Sequence, residues 1–190
     1  MGAKTLAGGF GSAAVDAAYS FRGIMAAMAR PGTIQRILAP DVPAPLSPAA
    51  AAVLLTLSDT DTPVYLAGET DCADVRAWLA FHSGAPLTGP SEATFAVGTW
   101  DALSPVTSYH VGTAEYPDRS ATLVVECAEL NASGPVLTGP GIKKESRLSL
   151  PEIQAFKMNR ALYPLGIDFI FTCGTTCAAL PRSTEVSECM

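Results

Sequence analysis

The chain has 190 residues, 48% of them hydrophobic and 16% charged, which suits one folded domain over 1–190 and excludes a disordered polymer. The formal net charge of -6 is unevenly spread: residues 1–40 carry 4 basic and 1 acidic side chains, 41–140 carry 2 and 12, and 141–190 carry 6 and 5. No basic face for nucleic acid follows from that pattern, and any anion site has to draw on the two ends of the chain. With a mean hydropathy of +0.27, either the core is large or some apolar surface is covered by a partner. Five cysteines without framework spacing predict a reduced, cytoplasmic protein. The amino terminus shows no targeting pattern, and the longest apolar stretch, Ala49 to Leu55, is far short of the roughly 20 residues a bilayer span needs.

In chain order, Phe21, Ile24, Met25 and Met28 stand at helical spacing in a segment that opens near Ser12 and stops at Pro31-Gly32. That stripe, with its two methionines, is read as core packing; Arg22 points away from it. A proline-rich connection then leads to Ser47 as N-cap and Pro48 at the first helical position, with a second helix to about Leu57. Asp59-Thr60-Asp61-Thr62-Pro63 reads as a turn closed by aspartate side chains, followed by a strand at Val64 to Leu66. Asp71 is taken as the N-cap of a third helix whose inner face holds Val75, Trp78, Leu79 and His82, with Gly84 ending it. Thr94 to Val97, Ala121 to Cys127 and Val136 to Thr138 read as strands. Ser149 and Glu152 have the spacing of a capping box, predicting a helix to about Leu162, and Ile167 to Cys173 reads as a buried strand. Helices interleaved with strands define an α/β class, a mixed sheet with helices packed on it.

No GxSxG, GxGxxG, P-loop or HExxH pattern is present. The two histidines, His82 and His110, and the Cys173-x3-Cys177 spacing make a poor metal set. The stretch Thr138-Gly139-Pro140-Gly141-Ile142-Lys143-Lys144, with Arg147 after it, is the most suggestive. Glycines after a strand can offer backbone N–H groups to an oxyanion beside cations, and the same residues equally make a tight turn with a solvated basic edge. Arg22 and Arg119 complete the candidate set, which serves either an anion or an interface: Arg22, Arg119, Gly139, Gly141, Lys143 and Arg147.

Several segments, in order along nearly the whole chain, resemble the H subunits of bacterial carbon-phosphorus lyase systems. They are FRGIMAAMARPGTI (21–34), LLTLSDTDTPVYL (54–66), AFHSGAP (80–86), GTAEYPDRSATLVVEC (112–127), LTGPGI (137–142), and YPLGIDFIF with ALPRSTEV (163–186). The resemblance implies a role in phosphonate breakdown and a fold similar to the large domain of pyridoxal-phosphate transferases, without the cofactor or its lysine. It implies a homodimer in isolation and assembly with G, I and J subunits. The I and G subunits, with help from another protein, exchange the adenine of ATP for a phosphonate, and the radical, iron-sulfur J subunit later breaks the carbon-phosphorus bond. No catalytic residue, cofactor or metal is implied for the H subunit itself. The resulting expectation is an accessory, non-catalytic subunit; the alternative is a stand-alone phosphate- or phosphonate-binding enzyme using the Gly139 to Arg147 region.

Overall fold

The computed structural model describes residues 8–188. Six strands form the main sheet: β1 (Gln35–Arg36), β2 (Val64–Leu66), β3 (Phe95–Thr99), β4 (Thr122–Glu126), β7 (Asp168–Cys173) and β8 (Thr176–Leu180). Their order is β1-β8-β7-β4-β3-β2, parallel from β2 through β7 and antiparallel at β8 and β1. A smaller antiparallel sheet joins β5 (Val136–Thr138) to β6 (Ser146–Arg147) and β9 (Glu185–Ser187). The expected α/β class with a mixed sheet is what forms.

The period of two along each strand sorts the core into two layers. Val64, Val97, Val124, Ile170 and Ala179 face one side, beneath α1 (Ala13–Ala29), α2 (Pro48–Leu57) and α3 (Ala73–His82). Ala96, Leu123, Val125, Phe169 and Phe171 face the other, beneath α4 (Trp100–Leu103), α5 (Ile153–Ala161) and the small sheet. The parallel crossover from β4 to β7 carries β5, β6 and α5, so most of the second layer is one long excursion between neighbouring strands, with α4 added before β4 and β9 after β8.

Local chemistry explains most element ends. Ser47 caps α2 as expected, its Oγ accepting from the Ala50 N–H at 3.1 Å, with Pro48 behind it. Asp59 Oδ1 accepts from Asp61 N–H and Thr62 Oγ1, the aspartate-closed turn read from sequence. Three expectations are corrected. Cys72, not Asp71, stands at the start of α3, because Asp71 closes a 3-10 turn and pairs with Arg76. The capping box of Ser149 and Glu152 does not form: the Ser149 hydroxyl accepts from Asn131 N–H at 2.9 Å, and Glu152 itself precedes α5. In α1 the buried residues are Ser20, Ile24 and Ala27, while Phe21 and Met25 are each 47% exposed. The reason is close packing on the inner side. A Cβ on Gly23 would run into the Ile37 side chain, and the facing helix α2 presents Ala49 to Ala52, so Ser20 and Ala27 turn inward beside Ile24, Met28 packs at the core's edge, and Phe21 and Met25 turn outward.

Candidate functional site

Open α/β sheets bind ligands outside the carboxyl ends of their strands, and a cleft of about 400 Å³ lies there. It is lined by Thr99 at the end of β3, Glu126 and Cys127 at the end of β4, and Asp101, Glu129 and Ser149 from flanking segments. Its chemistry is largely committed to the fold. Glu126 Oε1 accepts from the Ser47 N–H at 2.6 Å, and its Oε2 accepts from Thr172 Oγ1 at 3.0 Å. A sheet carboxylate thereby does for α2 what the third residue of a capping box usually does, and it sits where the helix dipole favours negative charge. Burial first, then Cys173 and Glu126 beside it, push the Cys127 thiol up to about 11, so it is neutral and a poor nucleophile at neutral pH. Among the described residues three carboxylates and no cation line the cleft, which opposes a phosphate or phosphonate there.

A larger cavity of about 540 Å³ opens on the second layer, between α5 and the segment 104–111. Trp100, Val106, Val111, Met158, Leu162 and Ile167 give it apolar walls. Trp100 is fixed by ring contacts with Phe156 at 5.0 Å and Phe169 at 6.2 Å. Asn159 holds the floor by bonding both backbone groups of Ile167 at 2.8 Å. The polar groups on the walls are few. Tyr109 is only 5% exposed, and its burial, then the nearby Tyr65, push its phenol up to about 12. Glu152 accepts from the Trp100 indole N–H at 3.3 Å. Among the described residues no Lys, Arg or His lines this cavity.

The residues singled out from sequence occupy other places. Gly139 and Gly141 both have positive φ, +130° and +82°. A Cβ on Gly141 would collide with the Ala29 carbonyl oxygen, and one on Gly139 would lie 3.1 Å from Ser183 O. The turn is thus pressed against the carboxyl end of α1, where exposed carbonyls and the negative end of the dipole disfavour an anion. Lys143 is exposed, and Arg147 donates to Gly134 O at 3.2 Å with Glu145 3.8 Å away. Arg119 lies over the Tyr116 ring at 4.1 Å, and Arg22 is exposed on α1, 5.9 Å from the Tyr19 ring. Among the described residues no hydrogen bond or ion pair joins Arg22 or Arg119 to the glycine turn. His82 is half-buried between Trp78 and Phe81, and no group of three His, Cys, Asp or Glu among the described residues is arranged to hold a metal ion.

Sequence reasoning passed over Arg182. Its guanidinium pairs with Asp168, at 2.5 Å to Oδ2, and donates to Pro117 O and to Ser120 Oγ. One side chain thus ties the amino ends of β4 and β7 to the loop before β9. Nothing in the sequence flags it, since its partners lie 14, 62 and 65 residues away.

Fold and surfaces together define a layered α/β protein with one apolar cavity, one acidic cleft and a charged hub that ties strand ends together. Residues 8–187 match the model of the family described as bacterial phosphonate metabolism protein (PhnH), and the chain belongs to that family. Over 192 aligned positions it is 39% identical to alpha-D-ribose 1-methylphosphonate 5-triphosphate synthase subunit PhnH of Rhizobium meliloti (strain 1021), covering 95% of each chain. It is also 36% identical over 85 residues to a Stutzerimonas stutzeri protein named "Putative C-P lyase subunit protein HtxG", covering 40% of this chain and 43% of that one.

Proposed function

We propose that this chain is a non-catalytic subunit of the carbon-phosphorus lyase core, the ribose 1-methylphosphonate 5-triphosphate synthase of phosphonate catabolism. It acts in the cytoplasm, self-associates as a homodimer when isolated, and assembles with G, I and J subunits. Its sheet is read as the large-domain scaffold of pyridoxal-phosphate transferases put to structural use. The observation that carries the reading is α1. Its solvent side presents Ala14, Val15, Ala18, Tyr19, Phe21, Met25 and Ala29, interrupted by Arg22. A helix apolar on all sides is a buried helix, so in the working protein this side is covered. Arg22, the charge within that face, is of the type enriched among residues that carry binding energy at interfaces.

The test is co-expression of the tagged chain with the G, I and J subunits, followed by size-exclusion chromatography and intact-mass measurement. A stoichiometric complex containing this chain is expected, and sedimentation of the isolated chain should give a dimer at micromolar concentration. Turnover of a phosphonate by the isolated chain, without partners, contradicts the reading and restores the stand-alone enzyme that uses the Gly139 to Arg147 region.

A further inference from the structure

The cavity beside α5 has two features that packing leaves unexplained. Tyr109 is almost wholly buried on its wall, yet its hydroxyl has no hydrogen-bond partner among the described residues. That hydroxyl is not sealed from solvent, so it stands open on the cavity to a donor or acceptor brought in from outside. At the mouth, Met158 is 56% exposed, and Ala161, Leu162, Tyr163 and Pro164 follow as an uninterrupted exposed apolar run. The surface is therefore concave and apolar at its margin, with an open hydroxyl within.

The occupant follows from shape and charge. A volume of about 540 Å³ accepts one or two large side chains, the way an interface anchor fills a pocket on its partner. A small molecule could fill the interior but would leave the margin from Met158 to Pro164 in water, whereas a peptide segment covers both. The charged side chain on the wall among the described residues is Glu152, whose carboxylate accepts the Trp100 N–H and keeps capacity for a cation opposite it. This chain does carry an aromatic beside an arginine, Phe21 and Arg22, but on α1, beneath the opposite face of the main sheet. Seating α1 of one copy in the cavity of the next is a head-to-tail contact that grows into chains instead of closing as a dimer.

We propose that the cavity between α5 and residues 104–111 docks a basic segment of another subunit of the assembly, one that inserts an aromatic or long aliphatic side chain toward Tyr109 and sets a Lys or Arg against Glu152. The inference rests on the subunit reading above and assigns that reading a surface.

The experiment measures binding of the purified G, I and J subunits to the immobilised chain, with each variant's melting point recorded beside it. Leu162→Glu and Met158→Glu, both at exposed positions, should melt like wild type and bind at least about tenfold more weakly. Tyr109→Phe, which removes a hydroxyl with no partner, should melt no lower and still lose about threefold or more in affinity. Glu152→Gln should weaken binding and flatten its dependence on salt. Wild-type affinity in both glutamate variants overturns the docking site, even though the subunit reading survives. Loss of self-association in Leu162→Glu with partner binding unchanged also overturns it, making the face a contact between copies. Should the wild-type chain itself fail to bind the partners, the subunit reading and the docking site fall together.

Discussion

The two ends of the central parallel strands are built from the same materials and reach opposite outcomes. At the amino ends, Asp168 and Arg182 form a mostly buried pair, with side chains 17% and 13% exposed, that also holds Pro117 and Ser120. The Gly139–Gly141 turn, pressed on the end of α1, closes the same side, since Gly32 N–H reaches Ala179 O beside it. At the carboxyl ends, Glu126 is also fully hydrogen-bonded, but its partners are a helix N-terminus and a threonine, and a cleft stays open above it. Charge at one end locks segments together; charge at the other caps a helix and leaves a cleft that repels anions. Three of the six segments that carry the family resemblance, 112–127, 137–142 and 163–186, supply the locked end, and two of them also supply Glu126, Cys127 and Thr172 to the open one.

If the amino end is the lock, its variants should hurt most. Arg182→Ala leaves Asp168 without its cation and should cost about 3–5 kcal/mol of stability, measured by urea unfolding. A loss below about 1 kcal/mol would remove the distinction between the two ends. Gly141→Val combines a positive φ with a backbone collision and should cost about 2–3 kcal/mol. Lys143→Ala on the same turn should stay within about 0.5 kcal/mol. Equal effects of the two would make the turn a permissive surface feature.

At the open end Glu126→Ala should cost about 1–3 kcal/mol, through lost charge-assisted bonds and a less well-capped α2. Hydrogen exchange should show that loss concentrated in residues 47–51. Smaller still is the pH effect of Tyr109. Its folded pKa, about 12, lies above the ordinary phenol value of about 10, so the folded state holds its proton more tightly. The stability this contributes is complete below about pH 10 and is lost as pH rises toward 12. In an ultraviolet titration one of the five tyrosines should ionise near pH 12, and uniform titration near pH 10 would place Tyr109 in water.

How far this was legible in the sequence depends on the range of the interaction. The start of α2 was readable because Ser47 and Pro48 act within one turn, as was the Asp59 turn. The capping box at Ser149 misled because Asn131, 18 residues upstream, takes the hydroxyl. Of the stripe Phe21, Ile24, Met25 and Met28, periodicity placed Ile24 and Met28 on the core correctly but not Phe21 and Met25, because α1, packed closely on the alanines of α2, turns Ser20 and Ala27 inward beside Ile24. Strand β8, whose sequence is TCAAL, lacks the β-branched content that marks a strand; it exists because β7 offers it a register. The glycine turn was located correctly, but its purpose depended on α1 ending beside it. The cavity was invisible because its walls, 100–111 and 152–167, are brought together only by the sheet.

The claim that this chain organises an assembly and does not itself react is tested most directly by reconstituting phosphonate ribosyl-triphosphate synthesis from purified subunits. Rates are compared with the chain omitted, present as wild type, or present with the carboxyl-end cleft altered by Glu129→Gln and Cys127→Ala. The account predicts that turnover requires the chain and stays within about twofold of wild type for both variants once assembly is matched. A fully assembled complex whose turnover is abolished by either variant would contradict it, placing the chemistry in the cleft at the ends of β3 and β4.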